Sequence, residues 1–240
     1  FGDDLQRSYD SGEALAAFID LIASETDAEK IHVLSWSAGA RVAMTGLAAL
    51  HDRYPEESPE QLRSRFRLGT VYFAAGDAPA SEFLAHIDDI HALADQLVVS
   101  QTDHDNALNA STSFIGGGRR IGQEDLGLSP EQERHVSELD RFEIVDVSIG
   151  AEERGFDITG HRYWFNHPWA SSDVLLSIRT RLSPDARGLV RGDHSPLWYL
   201  PSDYPTRLRR LLIETDLGAW SNFHNESSTP TAQSRPPAAL

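Results

Sequence analysis

Ile31-His32-Val33-Leu34-Ser35-Trp36-Ser37-Ala38-Gly39 is the stretch on which the fold turns. A short run containing β-branched residues reads as a strand, and the Ala- and Leu-rich segment from 38 to 50 reads as a helix. Ser37 therefore falls at a sharp strand-to-helix turn. Such a turn exposes a serine hydroxyl and points the first N–H groups of the helix, with the positive end of its dipole, at any charge that develops beside it. Small residues are expected two positions before and two after, where chain segments nearly touch, and Ser35 and Gly39 occupy those places. The Ala38 N–H is the candidate oxyanion donor.

Working outward, a helix is expected from about 11 to 25. Asp10-Ser11-Gly12-Glu13 has capping-box spacing, and Leu15, Phe18, Ile19 and Ile22 recur at helical intervals. Downstream, strands are expected at 70–74, 96–100 and 143–147. Helices are expected at about 80–93, 106–111 and 171–181, with another starting at Ser129-Pro130-Glu131-Gln132, where Ser caps and Pro takes the first turn. Strands alternating with helices imply an α/β fold whose mostly parallel sheet is covered on both faces. Gly116-Gly117-Gly118-Arg119-Arg120 reads as a flexible connection, and 185 to 220 as a closing flap or helix. The polar, Pro-rich 221–240 reads as a disordered tail beyond a single domain spanning 1–220.

The composition narrows the function. The 240 residues carry 21 Lys and Arg against 37 Asp and Glu, a net charge of −16 that repels phosphate backbones, so no nucleic-acid partner is expected. No apolar run is long enough to span a membrane. The absence of cysteine removes thiolate metal sites and a Cys nucleophile together. Asp103-His104-Asp105 offers hard ligands but has no second cluster near it in sequence, so neither a metal nor a cofactor is expected.

Ser35-Trp36-Ser37-Ala38-Gly39 resembles the G-x-S-x-G elbow of the α/β-hydrolase fold, departing from it at Ser35. The resemblance implies a catalytic serine, an acid and a histidine in that chain order, each after a later strand. The acid turn after the third strand leads with Asp105 into Asn106-Ala107-Leu108, resembling a pattern seen at that position in such enzymes. Asp105 is therefore the first candidate, with Asp103 and Asp77 as alternatives. The base is expected at His161, because Gly160-His161-Arg162-Tyr163-Trp164-Phe165 looks like the corresponding loop of a bacterial α/β-hydrolase family of uncharacterised function. His167 and His194 are its rivals. Trp164, Phe165, Trp169, Trp198 and Tyr199 are candidates for an apolar substrate pocket or for aromatic packing of the C-terminal flap.

The activity implied is that of a serine hydrolase, carboxylesterase- or lipase-like, acting on a small-molecule acyl ester. The alternative is a non-catalytic binding module on the same scaffold. Hydrolases of this fold normally place several strands before the elbow, one of them supplying a second oxyanion donor. The expectation is therefore a chain lacking those strands, with an incomplete oxyanion hole. Localisation and oligomeric state stay open.

Overall fold

The computed structural model describes residues 2–116, 118–148, 160–193 and 196–215, with side chains from residue 6 onward. The chain opens with α1 (Gly2–Asp10) and α2 (Gly12–Glu25), then β1 (Ile31–Trp36), α3 (Gly39–Asp52), α4 (Pro59–Phe66) and β2 (Leu68–Ala74). Next come α5 (Ala80–Ala85), α6 (Ile87–Leu93), β3 (Ala94–Gln101), α7 (Asn106–Ile115), α8 (Pro130–Glu138) and β4 (Phe142–Asp146). The last elements are α9 (Tyr163–Asn166), α10 (Pro168–Arg179), β5 (Val190–Arg191), β6 (Leu197–Tyr199) and α11 (Tyr204–Glu214). The six strands form one sheet in the order β1-β2-β3-β4-β6-β5, parallel except for the β5 to β6 pairing.

Alternation along the central strands builds two cores. On β2, Val71 and Phe73 enter the layer of α2, α3 and α6, while Tyr72 and Ala74 enter the layer of α10 and α11. Leu97 and Val99 on β3 repeat the first assignment and Val98 the second. All seven residues of β2 are buried, as expected of a parallel strand covered on both sides. Among the described residues β1 is an edge strand, with Leu34 and Trp36 exposed.

Several sequence expectations need correction. The capping box expected of Asp10 and Glu13 does not form: Asp10 is the last residue of α1, α2 follows almost directly, and Ser11, at the cap position, turns its Oγ to donate to the Arg7 carbonyl. The expected single helix over 80–93 breaks at His86 into α5 and α6. Residues 185–220 hold β5 and β6, which extend the sheet beyond β4, as well as α11, so this segment is not simply a flap. The connection from Arg119 onward is pinned. Arg120 is fully buried, Ala80 N–H donates to Arg119 O at 2.8 Å, and Gly122 N–H donates to Gly76 O at 3.0 Å. The tail expected at 221–240 lies outside the described residues.

A buried ionic network locks α10 to the sheet. Arg187 Nε lies 2.8 Å from Asp173 Oδ1 on α10, and Arg187 Nη2 lies 2.7 Å from Glu143 Oε2 on β4. Burial pushes both carboxyl groups above their ordinary range despite the guanidinium between them. Removing the cation strands two buried carboxylates, which typically costs about 3–5 kcal/mol. Arg187→Met should therefore lower the unfolding free energy at pH 7 by about that amount in denaturant melts. The loss should shrink between pH 7 and 5, because the folded variant binds protons more readily than the unfolded chain does. A loss below about 1 kcal/mol would contradict the role given to Arg187.

Candidate active site

Ser37 lies between the end of β1 and the start of α3 with φ of 54°, the left-handed region that L residues other than Asn and Asp avoid. Three backbone hydrogen bonds fasten it. Ser37 N–H donates to Ala74 O at 3.2 Å, Asp77 N–H donates to Ser37 O at 2.9 Å, and Ala40 N–H donates to the same oxygen at 3.0 Å. Arg41 N–H bonds the Ala38 carbonyl at 3.1 Å, so the helix begins immediately and the Ala38 amide stands at its amino end.

The size argument for the elbow is half corrected. Ser35 is buried and its Oγ donates to the Tyr72 carbonyl at 3.3 Å, which gives this departure from glycine a local hydrogen-bonding partner. A Cβ added at Gly39, however, would meet nothing within 4 Å. The tight approaches lie nearby. A Cβ at Gly76 would come within 2.6 Å of Ile121 Cγ1, and one at Gly122 within 2.6 Å of Gly76 N.

The three candidate acids separate by surroundings. Asp105 follows β3 and is 1% exposed. Its Oδ1 caps α7, accepting the Ala107 and Leu108 N–H groups at 3.0 Å each, while Oδ2 lies 2.7 Å from His161 Nδ1. A carboxylate only accepts, so in this pair Nδ1 carries the proton and Nε2 is left with a lone pair. Asp103 is half-exposed and sits 2.8 Å from His104 Nε2. Asp77 is committed elsewhere: Ser111 Oγ donates to Oδ1 at 2.7 Å, and Arg120 Nε and Arg41 Nη2 lie 2.9 and 3.3 Å away. Of the three, Asp105 is the one brought to His161.

His161 is also tied to the elbow. Trp36, the residue before Ser37, donates its indole N–H to the His161 carbonyl at 3.1 Å, and the two rings stand 5.5 Å apart. Gly160 adopts φ of +66°, and any Cβ there would collide with the His104 carbonyl beside Asp105. Two residues past His161, the Tyr163 hydroxyl accepts Ala75 N–H at 2.9 Å, lies 3.0 Å from Ser100 Oγ and donates to the Ser100 carbonyl at 3.3 Å. Burial pushes this phenol well above its usual range, so it remains protonated and clamps the loop to the ends of β2 and β3.

His167 caps α10, its Nδ1 accepting Trp169 N–H at 3.3 Å, and His194 lies outside the described residues. The aromatic candidates divide. Trp164 and Phe165 gather with Trp36, their rings 6.3 and 5.8 Å from it. Trp169 packs toward Tyr204, while Trp198 and Tyr199 belong to β6. Trp36 is an aromatic member of this group that the sequence expectation lacks, and its place next to the elbow serine is the signal that points to it.

The glycine geometry gives a direct test. Gly160→Ala should destabilise the fold by about 1–3 kcal/mol, through both its positive φ and the collision with His104 O. Gly39→Ala, in open space at a helix start, should be neutral or stabilising by up to about 1 kcal/mol. Denaturant melts showing the reverse order would contradict this description of the elbow.

Among known families, a model described as an alpha/beta hydrolase of unknown function (DUF900) matches residues 2–178. No curated protein and no solved structure matches the chain.

Proposed function

The chain belongs to this α/β-hydrolase family, and on that premise we propose that it is a serine hydrolase cleaving an ester-like acyl bond. The observation that carries the reading is the paired His161 and Asp105, 2.7 Å apart and tethered through Trp36 to a serine held at φ of 54°. Serine becomes a useful nucleophile only when a base takes its proton, and the base needs a carboxylate to fix its tautomer.

In the proposed cycle, His161 Nε2 accepts the Ser37 proton as Oγ attacks the carbonyl carbon. The tetrahedral oxyanion accepts a hydrogen bond from Ala38 N–H, in the favourable field at the start of α3. The imidazolium then returns the proton to the leaving alcohol, giving an acyl-serine. Water enters by the same base, and a second tetrahedral intermediate releases the acid and restores Ser37. Asp105 keeps the imidazole in this orientation and stabilises the imidazolium. Exposed Trp36 and Phe165 with Trp164 favour an apolar group on the substrate.

Turnover of short-chain acyl esters by the complete chain tests the proposal. Ser37→Ala should reduce it by about 10⁶-fold, and Asp105→Asn by about 10⁴-fold. Unchanged turnover in Ser37→Ala would refute the mechanism. A folded wild-type chain inactive across an acyl-ester panel would favour a non-catalytic binding module.

A further inference from the structure

A cavity of about 930 Å³ opens at the opposite end of the sheet from Ser37. The residues that place it there are Lys30 and His32 at the start of β1, Thr70 early in β2, Asp95 at the start of β3 and Phe142 at the start of β4. The carboxyl end of α10 and the segment after it complete the wall. The volume lies within the range of small-molecule sites, about 300–1,000 Å³.

Its charge is unlike that of the molecule. The chain as a whole carries −16, yet five cations line the cavity against two carboxylates, Asp95 and Glu143. Glu143 is already held by Arg187 and by Gln96, whose amide donates to it at 2.7 Å. Asp95 alone is left to face Lys30, with which it pairs, and Arg181, 3.5 Å away, while Arg141 donates to the Asp95 backbone carbonyl at 3.1 Å. Arg141 also meets exposed Asp140 at 2.9 Å. Arg191 lies 5.8 Å from the centre of the Trp198 ring. His32 adds a donor of fixed orientation. Its Nδ1 accepts Thr70 N–H at 3.0 Å, which leaves the proton of the neutral ring on Nε2.

Leu139, Phe142, Ile178, Leu182 and Trp198 give the wall an apolar stretch, beside the polar Thr70, Gln96, Thr180 and Ser183. Cations in excess beside an aliphatic surface suit a ligand with the opposite arrangement. We propose that this cavity is a binding site, separate from the elbow, for an aliphatic oxyanion. A carboxylate or phosphate head would be held by Lys30, Arg181 and Arg141, and a short hydrocarbon chain would lie on the apolar wall. Charge-assisted pairs supply the head-group recognition, and the hydrocarbon supplies area.

Isothermal titration of the full chain with octyl phosphate, octanoate and inorganic phosphate tests this. At low salt, at least one of the two octyl compounds should bind with Kd of about 100 μM or tighter, and inorganic phosphate should bind at least about tenfold more weakly. The tighter of the two octyl probes identifies the head group. Lys30→Glu with Arg181→Glu should weaken that binding more than about tenfold, and the milder Lys30→Gln with Arg181→Gln should weaken it in the same direction without a change in melting temperature. Three results would each overturn the proposal: no binding of either octyl compound tighter than about 1 mM, binding unaffected by both double variants, or binding to anionic phosphatidylglycerol vesicles alone. Because the elbow is untouched in these variants, their ester turnover separates failure here from failure of the hydrolase reading.

Discussion

The backbone of Ser37 is the constraint around which the site is organised. A non-glycine residue in the left-handed region costs about 1–3 kcal/mol and persists only where its surroundings over-determine it. Here the surroundings are the ends of β1 and β2. Ser37 N–H reaches the last residue of β2, and its carbonyl is held both by Asp77 N–H and by the first turn of α3. Ala75 is strained in the same way, with φ of 45°, and its N–H is taken by Tyr163. Two adjacent strand ends are thus bent into uncommon conformations and fastened to each other, and the second fastening carries the loop that bears His161.

Asp77 and Asp105 show how partners decide what a buried carboxylate holds in place. The Asp77 backbone amide steadies the Ser37 carbonyl, while its side chain, shared by Ser111, Arg120 and Arg41, anchors the segment from Arg119 to Gln123 over the ends of β2 and β3. Asp105 divides its two oxygens differently, one capping α7 and the other facing His161. Capping fixes the carboxylate without consuming the oxygen that the imidazole needs, and burial at 1% exposure keeps water from competing for it.

Local signals made most of the scaffold legible, and long-range contacts account for what was missed. The tetrapeptide Ser-Pro-Glu-Gln occurs twice, at Ser58 and at Ser129, and starts a helix with a capping box both times. The signal at Ser129 predicts the helix that follows it, and the identical signal at Ser58, which opens α4, is equally readable in the sequence. By contrast, β6 is three residues long and belongs to the sheet only through its pairing with β4, which no short-range pattern encodes. The crowding at Gly160 arises from a carbonyl more than fifty positions away, whereas Gly39, chosen for smallness from its place in the motif, faces open space. The ordering of the acids followed from strand order, but the reason Asp77 is otherwise engaged lies in Arg120, within a glycine-rich stretch that read as mere connection.

The proposed hydrolase mechanism requires that His161, paired with Asp105, activate Ser37 as the nucleophile. Intact-mass measurement after exposure of the complete, folded chain to a fluorophosphonate, with peptide mapping of the adduct, tests this most directly. The account predicts a single adduct on Ser37. It also predicts that Asp105→Asn, which spares the hydroxyl but removes the carboxylate that fixes the imidazole, slows labelling by orders of magnitude. A folded protein that takes up no label at Ser37, or that labels there equally fast without Asp105, would contradict it.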